Sequence, residues 1–289
     1  VVEFNAVVEN IAGNQAFNNA TGAASATSRS NNFRVRVAGT NIATSNNVSV
    51  YIAEPVIRSL SKTVVSPAPT DAGDTVRYRL EYSNTASGND RAAAFDVIIT
   101  DTLSSHLDLQ SVSIAVPAGS TATDTSILGV GGTVRVSVDI LTPTVDIPGV
   151  QKSVVITITA RVVATAPAGQ TIPNTANLTY TSLPGPNGTT ANPTGSSTPG
   201  ASGADTGERN GSNGVGGLND YVSSANVNTT LATPMIEKLA PSPLFYAVGQ
   251  HVTYPLRVTL PEGVTRDLVV FDDLPVGMAY VGYQVITST

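Results

Sequence analysis

Apolar residues alternate with polar ones along most of the central part of the chain. A period of two places successive side chains on opposite faces of a strand, and no segment shows the 3.6-residue period of an amphipathic helix. The pattern predicts an all-β protein of antiparallel strands, each buried on one face. The apolar positions that define it are Val76, Tyr78, Leu80 and Tyr82; Phe95, Val97 and Ile99; Val134, Val136, Val138 and Ile140; and Val154, Ile156, Ile158 and Val162.

The sequence also repeats itself. PVIRSLSKTVVSPAPTDAGDTVRY from Pro55 matches PMIEKLAPSPLFYAVGQHVTY from Pro234, and VVENIAGNQAFNNATG from Val7 matches VVATAPAGQTIPNTAN from Val162. A fixed period of this kind indicates an array of similar structural units. The aligned pairs that matter below are Lys62 with Lys238, Tyr78 with Tyr254, Asp101 with Asp272, and Asn19 with Asn174.

These matches divide the chain into three parts. Residues 1–54 are predicted to be the C-terminal part of one repeat, residues 55–233 a complete repeat, and residues 234–289 the N-terminal part of the next. A Gly-, Pro-, Asn- and Ser-rich stretch near residues 181–222 is predicted to be a long loop of the complete repeat. Several alternating strands between turn clusters predict tandem immunoglobulin-like antiparallel β-sandwiches, with a β-barrel as the alternative.

Composition limits the function classes. The 289 residues suffice for two domains, 12% of them are charged, and the formal net charge is −6 with no basic stripe, which argues against a nucleic-acid partner. Cysteine is absent, so thiolate catalysis and thiolate metal sites are excluded. No apolar run approaches the ~18–20 residues that cross a bilayer, so no membrane segment is expected in this piece. Any export signal or anchor is expected to lie outside it.

Three polar side chains share the parity of core residues on three separate strands. Lys62 lies on the face of Leu60 and Val64, Asp101 continues the face of Val97 and Ile99, and Asn174 lies on the face of Ile172 and Ala176. Buried singly, each would cost several kcal/mol. One arrangement gives them a use: a neutral lysine amine attacks the asparagine carboxamide while a protonated acid shuttles protons, so that ammonia leaves and an amide crosslink remains. The alternative is an ordinary ion pair beside an asparagine that binds backbone.

The segments LSKTV, AGDTVRYRLEYSNT, FDVIITDTL and IPNTANLTY resemble the isopeptide-forming domain of fimbrial and pilin backbone proteins and the related extracellular repeat of bacterial and archaeal surface proteins. The resemblance covers residues 55–180 and parts of both partial repeats. It implies a Lys62–Asn174 bond between the first and last strands, with Asp101 as the catalytic acid. The equivalent positions in the partial repeats are Asn19, Lys238 and Asp272.

By this resemblance the chain is expected to be a structural segment of an extracellular stalk, fibre or filament on a microbial surface. It is expected to be no enzyme beyond a single self-crosslinking turnover, and its partners are neighbouring repeats or subunits of the same protein. An alternative is that residues 234–289 of one copy combine with residues 1–54 of another, as in strand donation. A longer polypeptide is the simpler account.

The long loop allows two further hypotheses. It places hard oxygen donors among glycines, as calcium prefers, although their spacing does not fit an EF-hand. A solvated loop explains the same composition. The loop is also where an adhesin would bind a carbohydrate or a partner cell, which is the alternative function; a hydrolase has no candidate constellation. The candidate calcium ligands are Asp205, Glu208, Asn210, Asn213 and Asp220.

Overall fold

The computed structural model describes residues 3, 6, 8–14, 17–18, 23–24, 26–57, 59–86, 91–143, 151–185, 208–211 and 220–286. Apart from one short 3-10 helix, Ala12–Asn14, the regular structure of these residues is β-strand. The strands are β1 (Phe17–Asn18), β2 (Ala23–Ala24), β3 (Thr27–Asn31), β4 (Arg34–Val37), β5 (Thr40–Thr44), β6 (Val48–Ile52), β7 (Ser61–Val64), β8 (Thr75–Tyr82), β9 (Ala94–Thr102), β10 (Leu107–Ala115), β11 (Ala122–Asp124), β12 (Gly129–Val130), β13 (Thr133–Leu141), β14 (Val154–Val162), β15 (Thr171–Thr181), β16 (Val222–Thr230), β17 (Met235–Lys238) and β18 (Leu256–Thr259).

Strands β7 to β16 form two five-stranded sheets. The first has the order β12-β10-β14-β8-β7 and the second the order β11-β13-β9-β15-β16. Every pair of neighbouring strands in both sheets is antiparallel. The predicted all-β, antiparallel sandwich is thereby confirmed. Two separate sheets also distinguish it from a barrel, in which one sheet closes on itself.

The inner faces of the two sheets build one apolar core. Its largest fully buried side chains include Tyr78 and Tyr82 of β8, and Tyr180 of β15 packs against Tyr221, which precedes β16. Most strands of the sandwich alternate buried and more exposed residues as the sequence pattern predicts, most regularly β15, whereas β10 changes parity within its length. Alternate residues of each strand face the core. A polar residue at such a position on each of three strands therefore points its side chain into the same interior.

The segment that begins at β17 shows the same local structure as the start of the complete repeat. Strand β7 pairs with β8 so that Lys62 lies opposite Leu80, and β17 pairs with β18 so that Lys238 lies opposite Leu256. Gly73 and Gly249 take φ angles of 85° and 88°, which glycine adopts at little cost. The internal repeat is therefore visible in the backbone, while the exact repeat boundaries stay a prediction.

In residues 1–54 the structure pairs β3 with β6 and β4 with β5. Large apolar side chains are exposed in this segment and in the segment that begins at β17, for example Val50 and Tyr51 in the first, and Val269 and Phe271 in the second.

Within the described residues, no helix has the length and hydropathy required to cross a membrane.

Candidate crosslinking site

The three polar residues predicted to face the core lie on three strands of the sandwich. Lys62 is on β7, at the edge of the first sheet, and its side chain crosses to the second sheet. There Asp101 of β9 lies opposite Ala176 of β15. Asn174 precedes Ala176 by two residues on β15 and so shares its face. All three side chains are buried.

Lys62 and Asp101 form a fully buried ion pair. Lys62 Nζ lies 2.6 Å from Asp101 Oδ2, and both side chains are completely inaccessible to solvent. The second carboxyl oxygen, Asp101 Oδ1, has no hydrogen-bond partner, and neither does the nitrogen or the oxygen of the Asn174 carboxamide. Leaving a buried polar group unpaired costs about 1–3 kcal/mol, so this part of the core is unfavourable as it stands.

Burial shifts both members of the pair towards their neutral forms. The loss of solvation lowers the pKa of Lys62, and the charge and hydrogen bond of Asp101 only partly oppose it. In the same way, burial raises the pKa of Asp101 against the opposing effect of Lys62. The neutral pair differs from the ion pair by transfer of one proton along the 2.6 Å contact. A neutral amine is a nucleophile and a protonated carboxyl is a general acid.

Tyr78 is also part of the site, although the sequence pattern predicts for it only a position in the core. Lys62 Nζ lies 5.3 Å from the centroid of its ring, within the range of a cation–π contact. Its hydroxyl shares a hydrogen bond of 3.1 Å with Thr229 Oγ1. Burial raises the pKa of Tyr78, while Thr229 and the nearby Asn174 side chain lower it. Its alignment with Tyr254, beside the aligned lysines, was the signal that could have identified it.

The third repeat contains the same constellation in a more open form. Lys238 Nζ lies 2.6 Å from Asp272 Oδ1 and 4.6 Å from the centroid of the Tyr254 ring. The side chains of this pair are 43% and 30% exposed, whereas those of Lys62 and Asp101 are closed off. Solvent screens the electrostatic interaction of the exposed pair. Asn19, the predicted asparagine of the first repeat, lies outside the described residues.

One detail of the predicted bond is wrong. The resemblance implies a Lys62–Asn174 bond between the first and last strands of the repeat, but Asn174 lies on β15, and β16 follows it. β16 pairs with β15 over nine residue pairs, from Thr171↔Thr230 to Thr179↔Val222. The sequence pattern did not identify β16 as the final strand, because the long loop separates it from β15. A bond at Asn174 therefore leaves β16 outside the closed segment.

Only three of the five predicted calcium ligands lie among the described residues. Asp205 and Asn213 lie outside the described residues, whereas Glu208 and Asp220 are buried and Asn210 is half-buried. Among the residues that the structure describes, no group of three His, Cys, Asp or Glu side chains is arranged to hold a metal ion. The calcium site stays an untested prediction.

Three solved structures show what the chain resembles. The major pilin GBS80 of Streptococcus agalactiae, as a 35 kDa C-terminal fragment, is 14% identical, with 66% of this chain and 60% of that chain covered and a TM-score of 0.37. The full-length major pilin SpaD of Corynebacterium diphtheriae is 14% identical, with 63% of this chain and 36% of that chain covered and a TM-score of 0.34. The collagen-binding domain of a Staphylococcus aureus adhesin is 16% identical, with 42% of this chain and 84% of that chain covered and a TM-score of 0.28.

The similar structures are pilins and an adhesin. They are of the class that the sequence motifs resemble. The chain spans less than two thirds of each of the two pilin chains, and the TM-scores are low, so the sandwich architecture rests on the strand pairing described above. A scan of protein-family models and a search of curated protein sequences gave no match.

Proposed function

We propose that this chain is a structural segment of an extracellular fibre or stalk, and that its complete repeat crosslinks itself through Lys62 and Asn174. The observation that carries the proposal is the buried Lys62–Asp101 pair beside a carboxamide without hydrogen bonds. An ordinary structural ion pair would be expected to have its remaining oxygen and its polar neighbour satisfied. The pilins and the adhesin among the similar structures support a place at a bacterial surface.

The reaction balances without any added reagent. Lys62 transfers its proton to Asp101 and attacks the carbonyl carbon of Asn174, so that a new C–N bond forms. Asp101 hydrogen-bonds to the developing oxyanion, and a proton passes by way of its carboxyl from the attacking nitrogen to the departing nitrogen. The bond from the carbonyl carbon to that nitrogen breaks, and ammonia leaves. Asp101 ends as the neutral acid because it keeps the proton that Lys62 gave up, whereas Lys62 and Asn174 are consumed, so the chain acts once and turns over no external substrate.

The site also explains why the reaction would be confined to this pair. The reacting groups lie between the two sheets, where water is excluded and electrostatic interactions are strong. Tyr78 covers the amine on one side, and strands of both sheets fix the reacting side chains in position. Holding reactants in this way replaces a bimolecular encounter by an intramolecular step. In the third repeat the exposed Lys238–Asp272 pair lacks that exclusion of water.

Mass spectrometry of the whole chain tests the proposal. The intact mass is expected to be lower than the sequence mass by one ammonia, and proteolysis is expected to release the Lys62 and Asn174 peptides as one linked species. Asp101→Asn removes the proton carrier and is expected to restore the full mass. The matched change in the third repeat, Asp272→Asn, is expected to keep the loss of ammonia. A full mass for the unaltered, folded chain would refute self-crosslinking.

The pH dependence of bond formation gives a second prediction. The ion pair and the reactive neutral pair hold the same total of one proton, so their ratio does not change with pH. We expect a flat rate over the middle of the pH range. The rate should fall in acid, where both groups are protonated, and in base, where neither is. The chain, purified unfolded in denaturant, is diluted into buffers of different pH, and the loss of ammonia is followed with time. A rate that rises tenfold per pH unit through neutrality would contradict this.

A further inference from the structure

Arg209 of the long loop reaches out of its own repeat. Its side chain is buried and donates three hydrogen bonds to residues that precede the complete repeat. Nη1 contacts Glu54 Oε1 at 2.5 Å, Nε contacts Asn10 Oδ1 at 2.9 Å, and Nη2 contacts the carbonyl oxygen of Ile11 at 3.0 Å. The amide of Asn10 in turn donates to the carbonyl oxygen of Glu208 at 3.2 Å. The guanidinium thus connects two separate stretches of residues 1–54.

The loop that carries Arg209 is anchored to the sandwich at this point. The backbone N–H of Arg209 donates to Ser182 Oγ at 2.8 Å, and the N–H of Ser182 donates to the carbonyl oxygen of Arg209 at 2.9 Å. Ser182 directly follows β15, so the anchor lies where the long loop begins. A force on the guanidinium is therefore passed to the sandwich through backbone hydrogen bonds.

Glu54 has a second contact with the complete repeat. The Tyr221 hydroxyl donates to Glu54 Oε1 at 2.6 Å, and the Tyr221 ring stacks on Tyr180 with centroids 4.6 Å apart. Both tyrosines belong to the apolar core of the sandwich. Glu54 therefore receives an arginine and a tyrosine, both from the complete repeat, in an environment closed to solvent.

The same place in the repeat receives a neighbour at the other junction. Ile11 aligns with Ala166, and the carbonyl oxygen of Ala166 accepts a hydrogen bond of 3.1 Å from the N–H of Val264 in the third repeat. Gly263 fits there closely: a Cβ at that position would lie 2.5 Å from the same oxygen. At each of the two junctions, the backbone carbonyl of the aligned residue, Ile11 or Ala166, is thus contacted by the segment that follows.

From these contacts we propose that Arg209 is an interdomain latch, which holds residues 10–11 and Glu54 of the preceding repeat. This gives the loop a partner of defined chemistry, a carboxylate and two carbonyl-type oxygens on the neighbouring repeat, in place of a calcium ion or an external ligand. Neighbouring domains move relative to one another unless a specific interface prevents it. A buried guanidinium, with donors in a fixed planar arrangement, defines one orientation.

The latch adds to the proposed function, since a stalk built of repeats transmits load best when its junctions are stiff, but it does not depend on the crosslink. Lys62 and Asp101 pair with each other inside the sandwich and make no part of the Arg209 contacts. The two proposals can therefore fail separately, and one set of samples can report on both.

Spin labels measure the junction directly. The chain has no cysteine, so Ser28→Cys and Ser113→Cys place two nitroxides, on β3 and β10, without background. Both sites are exposed. Strand β3 reports on residues 9–14 because the two are joined by a hydrogen bond of 2.9 Å from Arg29 Nε to Asn14 Oδ1. Double electron–electron resonance is expected to give one narrow distance distribution. Arg209→Met and Glu54→Gln should each widen it at least about twofold, because the orienting contact is lost.

Arg79→Met is the matched control, since Arg79 pairs with Glu81 on the exposed face of β8, and it should leave the distribution unchanged. A wild-type width in Arg209→Met would overturn the proposal, because Arg209 would then not orient the repeats. A wild-type width in Glu54→Gln alone would overturn the part assigned to Glu54 and leave Asn10 and Ile11 as the partners of Arg209. The intact mass of the same samples reports the Lys62–Asn174 bond independently, so its absence would count against the crosslink and not against the latch.

Discussion

Replacing Asn174 by alanine is expected to lower the free energy of unfolding of the complete repeat by about 5 kcal/mol, because it removes the crosslink. A bond from Lys62 to Asn174 closes a loop of roughly 110 residues, and a covalent closure of that size restricts the unfolded chain by about 4.7 kcal/mol in the chain-entropy treatment used for disulfides. The loss corresponds to a fall of about 10–20 °C in the melting temperature for a domain of this size.

Guanidinium denaturation of the whole chain measures this effect, together with the intact mass of each variant. The Asn174 carboxamide loses at most a weak interaction with the Tyr78 hydroxyl, so lost contacts do not account for a change of this size. Asn228→Ala, an exposed position on the paired strand β16, is the control and is expected to stay within about 0.5 kcal/mol. A change below about 1 kcal/mol in Asn174→Ala would mean that no bond constrains the unfolded chain.

The position of the proposed bond would also determine which part of the repeat carries load. In the proposed fibre, tension would enter the repeat before β7 and leave it after β16, while the bond would join β7 to β15. The chain between Lys62 and Asn174 is then bypassed by a covalent path. The long loop and β16 remain outside this path and are held by pairing with β15. The Arg209 contacts lie in this same unprotected part, at the junction with the preceding repeat.

The strands that keep a strict period of two could be predicted from the sequence, and one that breaks it could not. β13 and β14 agree with the predicted alternation almost residue by residue. β10 was missed because its register shifts between Leu109 and Ser111, so that its buried positions change parity within the strand. An extra residue of this kind is a β-bulge, and it interrupts the period of two from which a strand is predicted.

The candidate site divides in the same way. Lys62, Asp101 and Asn174 could be found because each shares the parity of apolar neighbours on its own strand, which is local information. Arg209 could not be found, because its partners Asn10 and Glu54 are distant in sequence and the loop around it has the composition of a solvated segment. A buried arginine there depends on how two repeats meet, and the sequence of one repeat contains no periodic signal for that contact.

The second large effect concerns the Lys62–Asp101 pair without the crosslink. In an Asn174→Ala background, Asp101→Ala is expected to cost a further 3–5 kcal/mol or so, because it leaves a buried lysine without its partner. The matched change at the exposed pair of the third repeat, Asp272→Ala, is expected to cost about 1 kcal/mol or less. Denaturation curves of the three proteins give both differences. Equal costs at the two sites would contradict the buried, low-dielectric environment proposed for Lys62.

Replacing both members of the buried pair completes the test. In the same background, Lys62→Met with Asp101→Leu removes both charges and keeps apolar volume, and such replacements are often neutral or stabilising by about 1–4 kcal/mol. That result would mean that the ion pair makes the uncrosslinked fold no more stable than apolar residues would. A buried lysine and a buried acid beside an unpaired carboxamide would then be explained by the bond they form, and not by their contribution to packing. A clear loss of stability in the double replacement would instead favour a structural ion pair.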